Sequence, residues 1–591
     1  MGKSAFHTTM EYFDRLCNCH CTCCDIETRG KGSKVINSIA FTLNDPLTAF
    51  VVPLDGRYFD KEQERELWVR IKYSLRRVKS IWQNGIFDAG LLYNYGVDYI
   101  RFGWDTMVAQ HLLYTEFPRG LDALVSFYLE RGYHKGMIGD DLELYNGIDV
   151  VTTHEVAQEQ ARIMTQDDLD AMRHLMDLHM PLITMEKRGL RVDLSYKEEA
   201  LADFKQQQAE LTRQLNEEVA SRPIKPQSSP DLQKYFYAEK GIKPYISRDT
   251  GRPTVDRKAL EKIARKGYKE ADLILQIRKI SKLSGTYFNM QLDDDDRLRC
   301  QIKPTGTVTG RLATSQTPDG TGANLQNLPS EYGYCILPDE GMIFINVDLE
   351  QAEKRLVALL TGDPDDLRDF RMGEDIHRRR AAEVLGKDPA DVTDWERNKI
   401  GKPLNHMTSY DCGPNTFAET AGLSNAEGKR VLETYHKQHP KLKEYFASVR
   451  DELKRGNTLR NMFGRPRRFF GPRDGPLHRS AYDFRPQSTV GEICNRAIVD
   501  FYYNAPEWFL LLMQVHDSIL VEVPDKLEAI WQACQLFEKY FHYEFRWNGE
   551  RLDVPLSYQI GYRWNKKYMV EFTDISFSNV QKMYEQLQGG K

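Results

Sequence analysis

FINVDLEQAEKRLVALL, residues 344–360, decides how this chain is read. An apolar, β-branched run ends at Asp348, and beyond it apolar residues recur at helical spacing. The stretch therefore reads as a strand that delivers a carboxylate to its end and passes into a helix. MQVHDSILVEV, residues 513–523, sets Asp517 between two apolar runs, as a strand–turn–strand would. Two aspartates at adjacent strand ends suit a pair of Mg2+ ions and nucleotidyl transfer. Between these stretches lies RNKIGKPLNHMTSYDCG, residues 397–413. Lys402, His406 and Tyr410 fall at i, i+4 and i+8, nearly one helical face, where a cation, an imidazole and a phenol could meet a nucleotide. The same spacing also fits an ordinary amphipathic face.

Composition bounds the reading. At 591 residues the chain is long enough for about three to five domains. It is 41% hydrophobic and 28% charged, a globular balance. With 81 Lys+Arg against 86 Asp+Glu the net charge is −5, so a chain-wide basic coat is excluded and nucleic-acid binding must come from local patches. Ten cysteines are too few for a disulfide scaffold. No run approaches the roughly 18–20 apolar residues of a membrane helix, and no signal or transit pattern opens the chain. These features read as a soluble protein of a reducing, cytoplasmic compartment.

In the N-terminal third, VINSIAFTL (35–43) and AFVVPL (49–54) read as paired strands around an Asn-Asp-Pro turn. Asp25 and Glu27 in CCDIETRG alternate on what reads as a strand, so both can face one metal site. QNGIFDAG adds Asp88, and YNGIDVV sets Tyr145 and Asp149 one helical turn apart. Four carboxylates and a phenol suit two-metal phosphodiester hydrolysis with a tyrosine orienting the water. Cys17, Cys19, Cys21, Cys23 and Cys24 lack the paired C-x2–4-C spacing of structural zinc and read as small buried residues. DDDD at 293–296 reads as a solvated turn. Residues 168–219 read as two long helices, SSPDLQ (228–233) as a helix start, 377–455 as mainly helical, and a further helix is expected from about 487.

The ordered set Asp25, Glu27, Asn84, Asp88, Tyr145, Asp149, with GWDTMVAQHLL between the last two motifs, resembles the DEDDy class of proofreading 3′–5′ exonuclease domains. The C-terminal motifs resemble family A DNA polymerases, the group of bacterial DNA polymerase I and many phage replicases. The resemblance runs from about residue 20 to 565. It implies Asp348 and Asp517 as metal ligands, Glu353 as a sugar gate, and Gln351 and Arg355 as accessory residues. It also implies nucleotide contacts at His377, Arg397, Lys402, His406 and Tyr410. DNA contacts are implied at Arg278, Lys282, Arg311, Asn324, Gln326, Arg479, Gln487 and His516. The implied fold is a mixed α/β and α+β multidomain chain, an RNase H-like exonuclease domain plus a right-hand polymerase. Its expected parts are the exonuclease at 1–165, thumb and connecting helices at 166–296, palm at 297–372, fingers at 373–475, and palm with a C-terminal extension at 476–591.

The implied activity is primer extension with dNTPs plus 3′–5′ proofreading. It would use two Mg2+ at the polymerase site and two divalent ions at the exonuclease site, with Mn2+ as a substitute. Implied partners are primer-template DNA, a single-stranded 3′ end and a replisome helicase, primase or single-strand-binding protein, around a monomer. There are departures: Ser518 stands where the family has a glutamate, Asn398 where it has an arginine, His406 where it has Phe or Tyr, Asp411 where it has Gly, and Asp483 where it has Asn. With no room for a 5′-nuclease domain before Asp25 and no large thumb insertion, these point to a bacteriophage replicase in a host cytoplasm. Two rivals are a stand-alone exonuclease with a nucleic-acid-binding C-terminal region, and a non-catalytic replisome scaffold. Pro403 inside a helix costs about 3 kcal/mol unless it falls in the first turn, so a helix start or a kink is expected near Lys402.

Overall fold

The computed structural model describes residues 2–589 apart from 31, 45–46, 130–131, 133–140 and 248–249. In the N-terminal third, β1 (Cys21–Thr28), β2 (Ile36–Asn44), β3 (Leu47–Pro53), β4 (Lys79–Trp82) and β5 (Phe102–Asp105) form one sheet in the order β3-β2-β1-β4-β5. The expected strand pair is β2–β3, running from Ser38 opposite Pro53 to Asn44 opposite Leu47. Its expected turn at Asp45 and Pro46 lies outside the described residues. Helices α1 (Gly2–Leu16), α2 (Lys61–Arg77), α3 (Gly85–Tyr93), α4 (Thr106–Leu113), α5 (Leu121–Tyr128) and α6 (Leu142–Ile163) surround the sheet, and α6 crosses β1, β2 and β3. Successive strand residues face opposite ways, so Cys23 packs with Ala40, Ile81 and Val150 while Cys24 joins the other core. All ten cysteines are free thiols, and among the described residues no cysteine belongs to a cluster spaced to hold an ion.

Helix α7 (Gln166–Arg188) is a strut between the lobes. Thr165 caps it in a reciprocal box with Asp168, and Gly189 at φ 62° ends it. Along its length Asp168 takes the Arg468 guanidinium at 2.7 Å, His174 faces Glu492 at 3.5 Å, and Arg188 donates to the Leu511 carbonyl at 2.6 Å. Next, α8 (Leu194–Val219) packs on α9 (Lys269–Lys282) around a small core of its own, with Leu215, Leu260 and Ile274. Lys282 stays exposed at the end of α9. Arg278 corrects the sequence reading, which leaves it free for a DNA backbone. Its Nε and NH1 donate to the Pro226 and Val255 carbonyls, 2.8 Å each, tying two loops of this lobe together. In the DDDD turn, Asp293 and Asp295 grip Arg299 at 2.8 and 2.7 Å.

The rest of the chain adds β6 (Met342–Leu349), β7 (Thr458–Arg460), β8 (Pro466–Arg468), β9 (Leu510–Val515), β10 (Ser518–Pro524), β11 (Leu556–Gly561) and β12 (Met569–Phe572). Five of them make an antiparallel sheet in the order β9-β10-β6-β11-β12. β6 is central, and Ile343, Phe344, Ile345 and Val347 are fully buried, as a strand covered on both faces requires. The β7–β8 hairpin carries the basic segment 460–473 into the lobe junction. Arg467 meets Glu116 at 2.9 Å, and Arg468 also donates to the Leu112 carbonyl of α4 at 3.0 Å.

Next come helices α10 (Ala352–Thr361), α11 (Pro364–Arg371), α12 (Ile376–Leu385), α13 (Lys402–Thr408), α14 (Asn425–Gln438), α15 (Pro440–Arg455) and α16 (Gly475–Asn504), and α10, α13, α14, α15 and the start of α16 share a second core. α16 begins twelve residues before the expected start near 487. Asp474 caps it, Pro476 fills its first turn, and Pro486 is accommodated inside a 30-residue helix. A buried ionic hub joins these helices. Lys354 meets Asp366 at 2.8 Å, and Arg380 meets Asp366 and Asp369 at 2.8 Å. His439 bridges Asp363 at 3.0 Å and Glu383 at 3.1 Å.

Burial alone would lower the His439 pKa, but the two carboxylates outweigh it and lift it from 6.5 to about 9. The imidazolium thus stabilises the fold fully below pH 6.5, and that contribution is lost as pH rises through about 9. His439→Gln should cost about 3–5 kcal/mol near neutral pH, because it strands a buried carboxylate. Thermal unfolding from pH 6 to 10 checks this: wild type should lose its advantage over the variant toward pH 10.

Candidate functional site

Two carboxylate groups stand out, one in each sheet. In the first, Asp25 and Glu27 project from the end of β1, opposite Ala40 and Ser38 of β2. Asp88 comes from α3, which starts at a tight turn. Asn84 is left-handed at φ 62°, and a Cβ on Gly85 would lie 2.5 Å from the Trp82 Cβ. Tyr145 and Asp149 come from α6 and are both buried. Ligand atoms of Asp25, Glu27 and Asp149 lie within 4.8 Å of one another. Asp88 Oδ1 accepts the Ile26 amide at 3.3 Å, which brings it against the same strand. Sequence reasoning missed Asn146, beside Tyr145. Its Nδ2 donates to Asp25 Oδ2 at 2.6 Å while its Oδ1 accepts from Ser38 at 3.1 Å.

Burial raises these acids, and their mutual repulsion adds to it. Glu27 is pushed up to about 7 by burial and Asp149. Asp88 reaches about 8 through burial, against two backbone hydrogen bonds. Asp25 is raised strongly, by burial and then by Asp88, Asp149 and Glu27. Their all-oxygen donor set fits divalent ions.

In the second sheet, β6 ends with Asp348 opposite Ser518 of β10 and Ser557 of β11. The Leu349 amide donates to the Asp517 carbonyl at 3.1 Å, so the two aspartates sit side by side. The β9–β10 turn holds Asp517 beside His516, an exposed residue at φ 54°. Asp348 opens onto solvent yet sits deep enough for partial desolvation, then Asp517, to push its pKa up to about 6. Asp517 is also raised by burial, against the pull of Arg311. Ser518 donates to the Val515 carbonyl at 2.9 Å, closing the turn where a carboxylate is missing.

Arg311 lies among the acids. It pairs with Glu353 and lies 3.5 Å from Asp517 Oδ1. Tyr410 donates to the other Glu353 oxygen. Gln487 hydrogen-bonds Tyr410. Gln326 bonds the Gln514 side chain at 3.1 Å, and Gln514 in turn reaches the His516 carbonyl. Asn324 accepts from Thr314 at 2.7 Å. Arg479 and Gln351 are exposed, whereas Arg355 is spent on the Glu350 and Asp553 carbonyls at 3.0 and 3.2 Å.

Beside Glu353, α12, α13 and the turn before α13 gather basic side chains. A π-helical turn, Arg397–Gly401, leads into α13, so Pro403 falls in the first turn of that helix. A Cβ on Gly401 would lie 1.9 Å from the His377 carbonyl, so only glycine lets the turn press on α12. α13 ends at Thr408, so Lys402 and His406 share a helical face but Tyr410 follows the helix, in a turn. There Asp411 adopts φ 53°, a left-handed conformation that glycine takes more readily. Burial, then His406, Arg397 and Lys402, hold His377 down at about 4. Its Nδ1 is 3.0 Å from Asn405 Nδ2, and its ring centroid is 6.0 Å from that of His406. Arg397 pairs with Asp375 at 2.6 Å, beside His377.

Residues 195–566 match the profile of DNA polymerase family A. The chain belongs to that family. The thermostable DNA polymerase I of Thermus filiformis is 28% identical over 399 residues, 64% of this chain and 46% of that protein. DNA polymerase I of Chloroflexus aurantiacus is 25% identical over 529 residues, 82% of this chain and 54% of that protein. The chain spans about half the length of these curated relatives. The POL domain of Pol1 from M. smegmatis, solved with DNA primer-template and dNTP, superimposes with TM-score 0.78 at 21% identity, covering 94% of this chain and 97% of that one. The fold is therefore the mixed α/β right hand of family A polymerases.

Asp483 has a buried Oδ1 without a hydrogen-bond partner. Burial and Glu353 push it up to about 7, against Arg311 and Arg467. A raised carboxyl loses stability as pH climbs from its unfolded value through 7. Asp483→Asn should therefore stabilise the chain by about 1–3 kcal/mol at pH 8. Denaturation at pH 8 and pH 5 checks this, with the gain shrinking at the lower pH.

Proposed function

We propose that this chain is a DNA-directed DNA polymerase that extends a primer 3′-hydroxyl with dNTPs and edits with a 3′–5′ exonuclease in its N-terminal sheet. What carries the reading is the β6–β10 register. It sets Asp348 beside Asp517, and His406, facing Glu353, links that pair to His377, Arg397 and Lys402. Asp348 and Asp517 would hold divalent ions at one site, and Asp25, Glu27, Asp88 and Asp149 at the other. Bound there, such ions supply Lewis acidity to the attacking and leaving oxygens.

The chain's own residues do the rest. Lys402 meets triphosphate oxygens as a point charge and Arg397 as a fork, while neutral His377 donates a single hydrogen bond. Tyr410, locked to Glu353, forms a wall against the sugar. Arg311, Gln487, Arg479, Asn324, Gln326, His516 and Lys282 face primer and template. In the N-terminal site the Tyr145 phenol orients a water. The family match over 195–566 counts against a stand-alone exonuclease, because it falls on the C-terminal region.

Asp348→Ala or Asp517→Ala should abolish Mg2+-dependent extension while trimming of a single strand survives. Asp25→Ala with Glu27→Ala should do the reverse, the two sites lying in different sheets. A labelled mismatched primer, assayed with and without dNTPs, reads both at once. In the fingers, Arg397→Ala and Lys402→Ala should each raise the dNTP KM or lower kcat more than about tenfold, as loss of a phosphate contact does. Lys399→Ala, an exposed neighbour, should change little. Steady-state dNTP kinetics of the three variants test it.

A further inference from the structure

We infer that Asp105, at the end of β5, is a positioning residue for the N-terminal metal site: it holds the turn that aims Asp88. This rests on the exonuclease reading of that site. Asp105 is 1% exposed and caps α4, its Oδ1 accepting the Met107 and Val108 amides at 2.9 and 3.3 Å. The same carboxylate reaches across to the start of α3. Oδ1 accepts the Asn84 amide at 3.2 Å and Oδ2 the Gly85 amide at 2.7 Å. Two helices thus share one cap, and Asp88 stands one turn beyond it. Neither amide has a partner inside α3, because both belong to its first turn.

The turn needs such a clamp. Asn84 is held left-handed, and Gly85 is pressed against Trp82. His179, fully buried on α7, closes the far side of Asp105, its Nε2 3.5 Å from Oδ2 and its Nδ1 2.7 Å from the Leu175 carbonyl. Only a carboxylate presents acceptors alone. Asparagine at 105 has nearly the same shape, but its amide must point N–H groups at one of these donors. The α3 start would then shift or loosen, and Asp88 with it, while the core volume stays the same.

Supporting groups that orient a metal ligand typically cost about 10–100-fold in metal affinity when lost. The test uses the full chain carrying Asp348→Asn and Asp517→Asn, so that Mn2+ titration reports the N-terminal cluster. There Asp105→Asn should weaken Mn2+ binding by about tenfold or more. On the otherwise wild-type chain, Asp105→Asn should raise the Mn2+ concentration that half-saturates 3′ trimming, with trimming recovering at high Mn2+. Primer extension should stay unchanged. Unaltered Mn2+ affinity in Asp105→Asn would overturn the inference. If that variant melts early, Asn84→Val decides by the same two results, since a β-branched residue resists the left-handed turn without touching Asp105. Retention of trimming and Mn2+ binding by Asp25→Ala with Glu27→Ala would instead overturn the exonuclease reading itself.

Discussion

The hydrogen bond from the Leu349 amide to the Asp517 carbonyl, 3.1 Å long, is the contact on which the C-terminal site depends. Two carboxylates that repel each other do not stay adjacent without a backbone that leaves them no alternative. Antiparallel pairing of β6 with β10 supplies it, and a slip of one residue would turn Asp348 to the opposite face. Burial first, and then that juxtaposition, raise the Asp348 pKa to about 6. Around the pair, Ser518 and His516 shape the turn, and Gln326 braces it through Gln514.

The molecule treats its buried acids in two opposite ways. In the hub between α11, α12 and α15, Lys354, Arg380 and His439 match the carboxylates. Asp366 is accordingly driven below its usual range, burial notwithstanding, by Lys354 and Arg380. Those ion pairs tie the helices together. In the N-terminal sheet burial and mutual repulsion instead raise Asp25, Glu27 and Asp88. Arg311 makes the C-terminal site an intermediate case, a fixed cation within reach of Glu353 and Asp517.

The lobes are joined by buried charge as well as by chain. The basic hairpin β7–β8 directs Arg467 and Arg468 onto Glu116, Asp168 and the end of α4, and α7 carries both Asp168 and His179. The strut that reaches β9 at Leu511 therefore also backs the residue that caps α3 and α4.

Residue order alone made the two strand-borne aspartates, the Asp25–Glu27 alternation, the Tyr145–Asp149 helical turn and the family legible, because each rests on local periodicity or an unbroken motif. Pattern misjudged three features. The start of α16 was hidden by Pro486, Tyr410 lies past the end of its helix, and Arg278 is spent on carbonyls. Tertiary structure alone decided that Asn146 braces Asp25, that Asp105 serves two helices, and that Arg311 sits among the acids. The physical reason is separation along the chain. Asp25 and Asn146 are 121 residues apart, and periodicity speaks only for neighbours, whereas burial and hydrogen-bond satisfaction are set by whatever the fold brings alongside.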